Sequence, residues 1–140
     1  MRFGMNLFET SAQVALDGTA DRLTFAPGIP IMVVRFGYWV TVLLDNTPNG
    51  VVLALDKNDD IASPVRTELA IMTAPTVDQV IGTIAYMDVD PGVRFVPGEE
   101  LILEVKTAAT AGDGRVFFEY TPLSWADMPS SGVHLPVSQA

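Results

Sequence analysis

From residue 94 to 121 the chain reads Arg94-Phe95-Val96-Pro97-Gly98-Glu99-Glu100-Leu101-Ile102-Leu103-Glu104-Val105-Lys106, a glycine-rich link, then Arg115-Val116-Phe117-Phe118-Glu119-Tyr120. With a period of two, Leu101, Leu103 and Val105 share one face, and Glu100, Ile102, Glu104 and Lys106 share the other. The second run sets Val116, Phe118 and Tyr120 opposite Arg115, Phe117, Glu119 and Thr121. A strand sends successive side chains to opposite faces, so the alternation specifies half-buried antiparallel strands. Between the runs, Ala111-Gly112-Asp113-Gly114 supplies residues that accept positive φ and predicts a β-hairpin reversal.

A chain of 140 residues makes one domain, and a domain of that size buries roughly two-thirds of its unfolded surface in a single core. Apolar residues make up 49% and charged residues 18%, which excludes a disordered chain. There is no cysteine, so neither a disulfide framework nor thiolate chemistry is available. Met1 to Glu9 lacks the apolar core of a signal peptide. The longest apolar run, Ile29 to Leu44, is broken by Pro30, Arg35, Gly37 and Thr41, short of a membrane span. A soluble protein with no export address is expected. Net charge is −9, and the eight basic residues are scattered. Nucleic acid and anionic membrane are therefore not expected as partners.

Along the chain, residues 1–24 read equally as edge strands, closed by the Asp17-Gly18 turn, or as an N-terminal arm lying on a neighbouring subunit. Residues 25–122 form the expected sandwich domain. Ile31 to Leu44 is a long strand in which Gly37 marks a bulge, bend or short turn. Asn49-Gly50 predicts a second hairpin, returning through Val51 to Leu55. Val65 to Met72 alternates as a strand, and Ala74 to Met87 reads as a strand interrupted at Gly82. Phe25-Ala26-Pro27-Gly28 and Phe95-Val96-Pro97-Gly98 echo each other and suit type II turns; either the chain has two matching halves, as in a jelly roll, or the match is chance. Residues 123–140, rich in proline, make an extended C-terminal tail. The fold expected is all-β: an antiparallel, jelly-roll-like β-sandwich with extended terminal segments.

Chemistry is thinly represented. Asp56-Lys57-Asn58-Asp59-Asp60 begins with calcium-loop spacing, but Ile61 and Thr67 stand where an EF-hand needs glycine and glutamate. A looser calcium site and a solvated acidic loop both remain. Glu99, Glu100, Glu104 and Glu119 occupy turn or outward positions, as solvated carboxylates do. His134 has no second histidine or cysteine to share a metal, and Ser124, Ser130 and Ser131 lack a nucleophile motif. No enzyme activity, cofactor or metal is expected. Tyr38 and Trp39 are adjacent, so one faces the core and the other faces out, as a sugar platform or a protein-contact anchor.

The run Phe95 to Lys106, the Ala/Thr/Gly segment Thr107 to Gly114, and Arg115 to Tyr120 together resemble the capsid decoration, or cement, proteins of tailed bacteriophages. The resemblance implies a non-enzymatic trimer on the outer capsid surface of the virion, assembled in the host cytoplasm. Its partner there is the major capsid protein, whose neighbouring subunits it locks together. Apolar terminal segments on a disulfide-free sandwich independently call for cover by other chains. Arg2, Phe3, Phe8, Tyr38, Trp39, Trp125 and Met128 are the expected interface residues. The rival class is a carbohydrate-binding sandwich module that uses Tyr38 or Trp39, with calcium held around Asp56 to Asp60.

Overall fold

The computed structural model of the protein describes residues 6–123. Its strands are β1 (Leu7–Thr10), β2 (Val14–Ala15), β3 (Ala20–Phe25), β4 (Ile31–Asp45), β5 (Val52–Asn58), β6 (Arg66–Thr73), β7 (Ile84–Phe95), β8 (Glu100–Thr107) and β9 (Ala111–Pro122). One sheet has the order β1-β9-β4-β7, with β2 also on β9; the other has the order β3-β8-β5-β6. Every pairing is antiparallel. The fold is an antiparallel β-sandwich in jelly-roll order, as the alternation predicted.

The core lies between the sheets. Leu101, Leu103 and Val105 of β8 and Leu53 and Leu55 of β5 meet Val33, Phe36, Tyr38 and Val40 of β4 and Val116 and Phe118 of β9. The inward sets of β8 and β9 are those the period of two selects. Both strands are central, so Ile102 and Phe117, on the outward sets, are buried as well.

The hairpin expected between β8 and β9 does not form. β8 pairs with β3 and β5, β9 pairs with β1, β2 and β4, and the chain crosses from one sheet to the other at residues 108–110. Gly112 and Gly114 lie inside β9, where Gly112 takes the expected positive φ, +121°, and β4 passes close by both. A Cβ on Gly112 would sit 2.5 Å from the Leu43 carbonyl oxygen, and one on Gly114 would sit 2.5 Å from that of Trp39. Asn49-Gly50 likewise joins β4 to β5 in the other sheet, and a Cβ on Gly50 would lie 2.2 Å from the Ala74 carbonyl oxygen. Among the described residues, the consecutive strands that form a hairpin are β5 and β6.

Four further expectations change. β4 runs unbroken through Gly37, with its register shifts on β9 between Val33 and Arg35, Val40 and Val42, and Val42 and Asp45. Gly37 serves close approach instead, since a Cβ there would stand 2.0 Å from the Ala85 carbonyl oxygen on β7. Residues 74–83 form a loop with a single bridge, Gln79 to Leu44, and the strand begins only at Ile84. Of the two Phe-x-Pro-Gly segments, only the second has a positive-φ glycine, Gly98 at +97°, closed by Glu99 N–H donating to the Val96 carbonyl at 3.1 Å. The boundary expected between residues 24 and 25 falls inside β3, which is hydrogen-bonded along β8.

Candidate functional site

The outer face of the sheet β1-β9-β4-β7 is built from three cross-strand rows. Register places Phe8, Glu119, Arg35 and Asp88 in one row, Thr10, Phe117, Gly37 and Tyr86 in the next, and Arg115, Trp39 and Ile84 in the third. Gly37 has no side chain, so the middle row dips between Phe117 and Tyr86. The result is an apolar groove of about 290 Å³ lined by Phe8, Arg35, Trp39, Ile84, Tyr86 and Phe117. Phe8 and Trp39 stand on either side of Phe117, with ring centres 5.9 and 6.0 Å from it. Phe8, Ile84 and Tyr86 are 58, 60 and 54% exposed.

The charges along this groove cancel locally. Arg35 Nε donates to Asp88 Oδ1 at 2.6 Å and Nη1 donates to Glu119 Oε1 at 3.1 Å, while Asn6 Nδ2 donates to Glu119 Oε2 at 2.6 Å. The guanidinium also lies 4.7 Å over the Tyr86 ring, a cation–π arrangement. The Asp88 hydrogen bond raises Arg35 above its ordinary value, so the cation is permanent. Two arginines, Arg35 and Arg115, stand beside two carboxylates, Asp88 and Glu119, on a chain whose net charge is −9.

The outer face of the other sheet is built differently. Arg66 on β6 donates through Nε to Asp56 Oδ2 on β5 at 2.9 Å and through Nη2 to Glu104 Oε1 on β8 at 3.0 Å. It also grips Asp21 on β3 through Nη2 and Nη1 at 2.6 and 3.0 Å. One side chain therefore laces all four strands. Lys106 adds a pair with Glu68 at 2.7 Å.

No family model matches the chain, and no curated protein matches it. Among solved structures it is similar to the structure of Eiger TNF from S. frugiperda, at 10% identity and a TM-score of 0.47, over 95% of this chain and 99% of that one. The jelly-roll order itself is fixed by the strand pairing described above.

Of the residues singled out in the sequence, Phe8 and Trp39 meet on the groove. Tyr38 does not. It faces the core with no exposed surface, and its hydroxyl donates to Gln79 Oε1 at 2.5 Å. Burial raises its phenol above the ordinary value. Arg2, Phe3, Trp125, Met128 and His134 lie outside the described residues. Asp56 is taken by Arg66 inside β5 and points away from any loop site, which removes the first ligand of the suggested calcium loop. Asp60 Oδ1 accepts from the Ala62 N–H at 2.9 Å, as a local turn requires. Glu119, expected on a solvated face, is buried between Arg35 and Asn6. Ile84 and Tyr86 were missed, because Ile84-Ala85-Tyr86-Met87 is apolar at every position and no alternation separates the outward pair from Ala85 and Met87, which pack on the core.

Proposed function

We propose that this chain is a non-enzymatic structural protein that self-associates through the outer face of the sheet β1-β9-β4-β7. In this proposal it acts as a capsid decoration protein, fastening neighbouring major-capsid subunits at the virion surface. The observation that carries the proposal is the neutral aromatic groove. Large contiguous apolar patches are uncommon on soluble monomers and often functional, and Phe8, Ile84 and Tyr86 are each more than half exposed on one side of one sheet. Copies of a chain with net charge −9 repel one another over most of their surface. Where Arg35 and Arg115 balance Asp88 and Glu119, that repulsion vanishes and apolar burial drives association.

The carboxylates that an enzyme would draw on are engaged elsewhere. Glu99 is paired with Lys57 at 3.3 Å, Glu100 accepts from Asn58 at 3.0 Å, and Glu104 and Glu119 sit in arginine networks. A closed oligomer of weakly adhesive copies also suits decoration, because many modest contacts sum on a repeating lattice.

Light scattering coupled to size-exclusion chromatography tests the first half. The wild-type protein should run as an oligomer at micromolar concentration, and Tyr86→Glu combined with Ile84→Glu should run as a folded monomer. Co-sedimentation with expanded capsids of tailed bacteriophages tests the second. A monomeric wild type, or an oligomer indifferent to both substitutions, would overturn the assembly surface.

A further inference from the structure

Asn6 and Leu123 lie at one end of the sandwich, where Leu123 N–H donates to the Pro30 carbonyl at 2.9 Å. At the opposite end four segments converge: 12–19, 42–51, 74–83 and 107–114. Ala109 N–H donates to the Leu16 carbonyl at 2.9 Å, Thr110 N–H to that of Asp45 at 2.8 Å, and Leu44 and Gln79 exchange both main-chain hydrogen bonds at 2.9 Å. These segments carry four aspartates, Asp17, Asp45, Asp78 and Asp113, and no lysine or arginine of their own. Among the described residues, Arg22 reaches them by a hydrogen bond, donating to the Gly18 carbonyl at 2.9 Å, and leaves the acidic excess standing. They also display aliphatic side chains: Leu43, Val77, Val80 and Ile81 are 52, 54, 65 and 68% exposed.

Surface loops are usually more mobile than the strands they join. This loop is bolted down. Gln79, 9% exposed, accepts from Tyr38 Oη and from Asn46 Nδ2 through the same oxygen, the second at 3.2 Å. Asn46 Oδ1 in turn accepts from the Val51 N–H at 3.2 Å. Gly82 N–H donates to the Val40 carbonyl at 2.9 Å, and Val40 N–H donates to that of Thr83 at 2.8 Å. Three polar side chains thus sit in a core position that well-packed apolar residues fill at least as stably, and together they fix the loop's shape. A loop fixed before binding loses little entropy on docking.

We infer that this end of the sandwich is a second docking site, for a protein surface bearing an apolar depression rimmed by lysine or arginine. The inference deepens the decoration proposal by naming the chemistry of the capsid patch that such a protein would grip. Charge selects the occupant. Another copy of this chain is repelled by four aspartates, as are an anionic membrane and a nucleic acid. Desolvation and the neighbouring Asp45 hold the Asp78 carboxyl above its ordinary range, and an incoming cation relieves that crowding. The tip adjoins the aromatic groove, whose Ile84 and Tyr86 also line a cleft with Ala74, Pro75 and Gln79, but none of its exposed aliphatic residues lines the groove, so self-association and partner capture use different side chains.

The test is an NMR titration of the isotope-labelled protein with a designed amphipathic peptide of lysine and leucine. A glutamate–leucine counterpart and phosphatidylglycerol vesicles are run in parallel. Saturable, salt-sensitive shifts centred on Leu43, Val77, Val80 and Ile81 are expected with the lysine peptide alone. Ile81→Asp should weaken that binding by roughly tenfold or more, the loss from one unburied isoleucine. It should leave the melting temperature and oligomeric state unchanged. Asp45→Asn with Asp78→Asn should flatten the salt dependence. The same variants should lower co-sedimentation with a capsid that the wild type binds. No saturable shift, shifts centred on Phe8 and Tyr86, or binding to the vesicles would overturn the inference. Loss of the oligomer in Tyr86→Glu with shifts at the tip retained would separate it from the assembly proposal.

Discussion

Replacing Arg66 with leucine removes the cation that joins β3, β5, β6 and β8, and the consequences divide by exposure. The Arg66 and Asp21 side chains are 34 and 43% exposed and that of Glu104 is 28%, so solvent screens those two arms; each contributes about 0.5 kcal/mol. Asp56 is different. Its side chain is 4% exposed and its Oδ2 accepts from Arg66 Nε. Its Oδ1 is buried without a hydrogen-bond partner. Losing the guanidinium strands a buried carboxylate, which costs about 3 kcal/mol at the lower end of the range for broken buried pairs. The total approaches about 4 kcal/mol, or roughly 10 °C in Tm for a domain of this size. Urea denaturation at neutral pH, followed by circular dichroism, measures it. Adding Asp56→Asn to Arg66→Leu should recover more than half of the loss, because the stranded charge is gone. The sign of the pH dependence is also set. The Arg66 hydrogen bond holds Asp21 below the ordinary carboxylate value of 3.8. A folded pKa below the unfolded one contributes stability that is present above the unfolded value and lost as pH falls through the folded one. Desolvation, and secondarily Asp56, hold Glu104 above 4.5 although Arg66 opposes them; without Arg66 it rises further, so the variant's deficit should shrink on acidification. A variant within about 0.5 kcal/mol of wild type, or a double variant no better than the single, would refute the account.

Gly37→Ala should destabilise by about 3 kcal/mol in the same assay, because β7 has no room to retreat without opening the sheet. Gly28→Ala, which meets nothing within 4 Å, should be neutral. Tyr38→Phe should lose about 1 kcal/mol and speed amide hydrogen exchange at residues 76–83, since it frees one of the two side chains that pin Gln79. Calcium and a chelator should leave Tm unchanged, because the Asp56 carboxylate is committed to Arg66.

Strands were more legible than their partners. The alternation in β8 and β9 identified their inward residues, since burial on one face selects a period of two. What alternation does not encode is which strand lies alongside. Gly112-Asp113-Gly114 and Asn49-Gly50 resemble hairpin turns, yet their glycines admit the backbones of Leu43, Trp39 and Ala74. A glycine can serve close approach, positive φ or, as Gly112 does at +121°, both, and the uses look alike in a sequence. The same ambiguity misled the expectation at Gly37. The groove was half legible: Phe8 and Trp39 stood out as aromatic, whereas Ile84 and Tyr86 only acquire meaning once β7 proves to be an edge strand. Tyr38 was misplaced as an outward candidate because adjacency shows that one of two neighbours faces inward, but not which.

β9 is the last strand among the described residues and lies at the heart of its sheet, between β1 and β4. Leu7 waits for Tyr120, and Ile31 for Pro122. A nascent chain leaving the ribosome therefore has β1, β2 and one flank of β4 without their β9 partner until β9 is made. The sandwich closes only after translation has passed residue 122, and any product cut short before residue 111 is left with open sheet edges for aggregation or proteases to find.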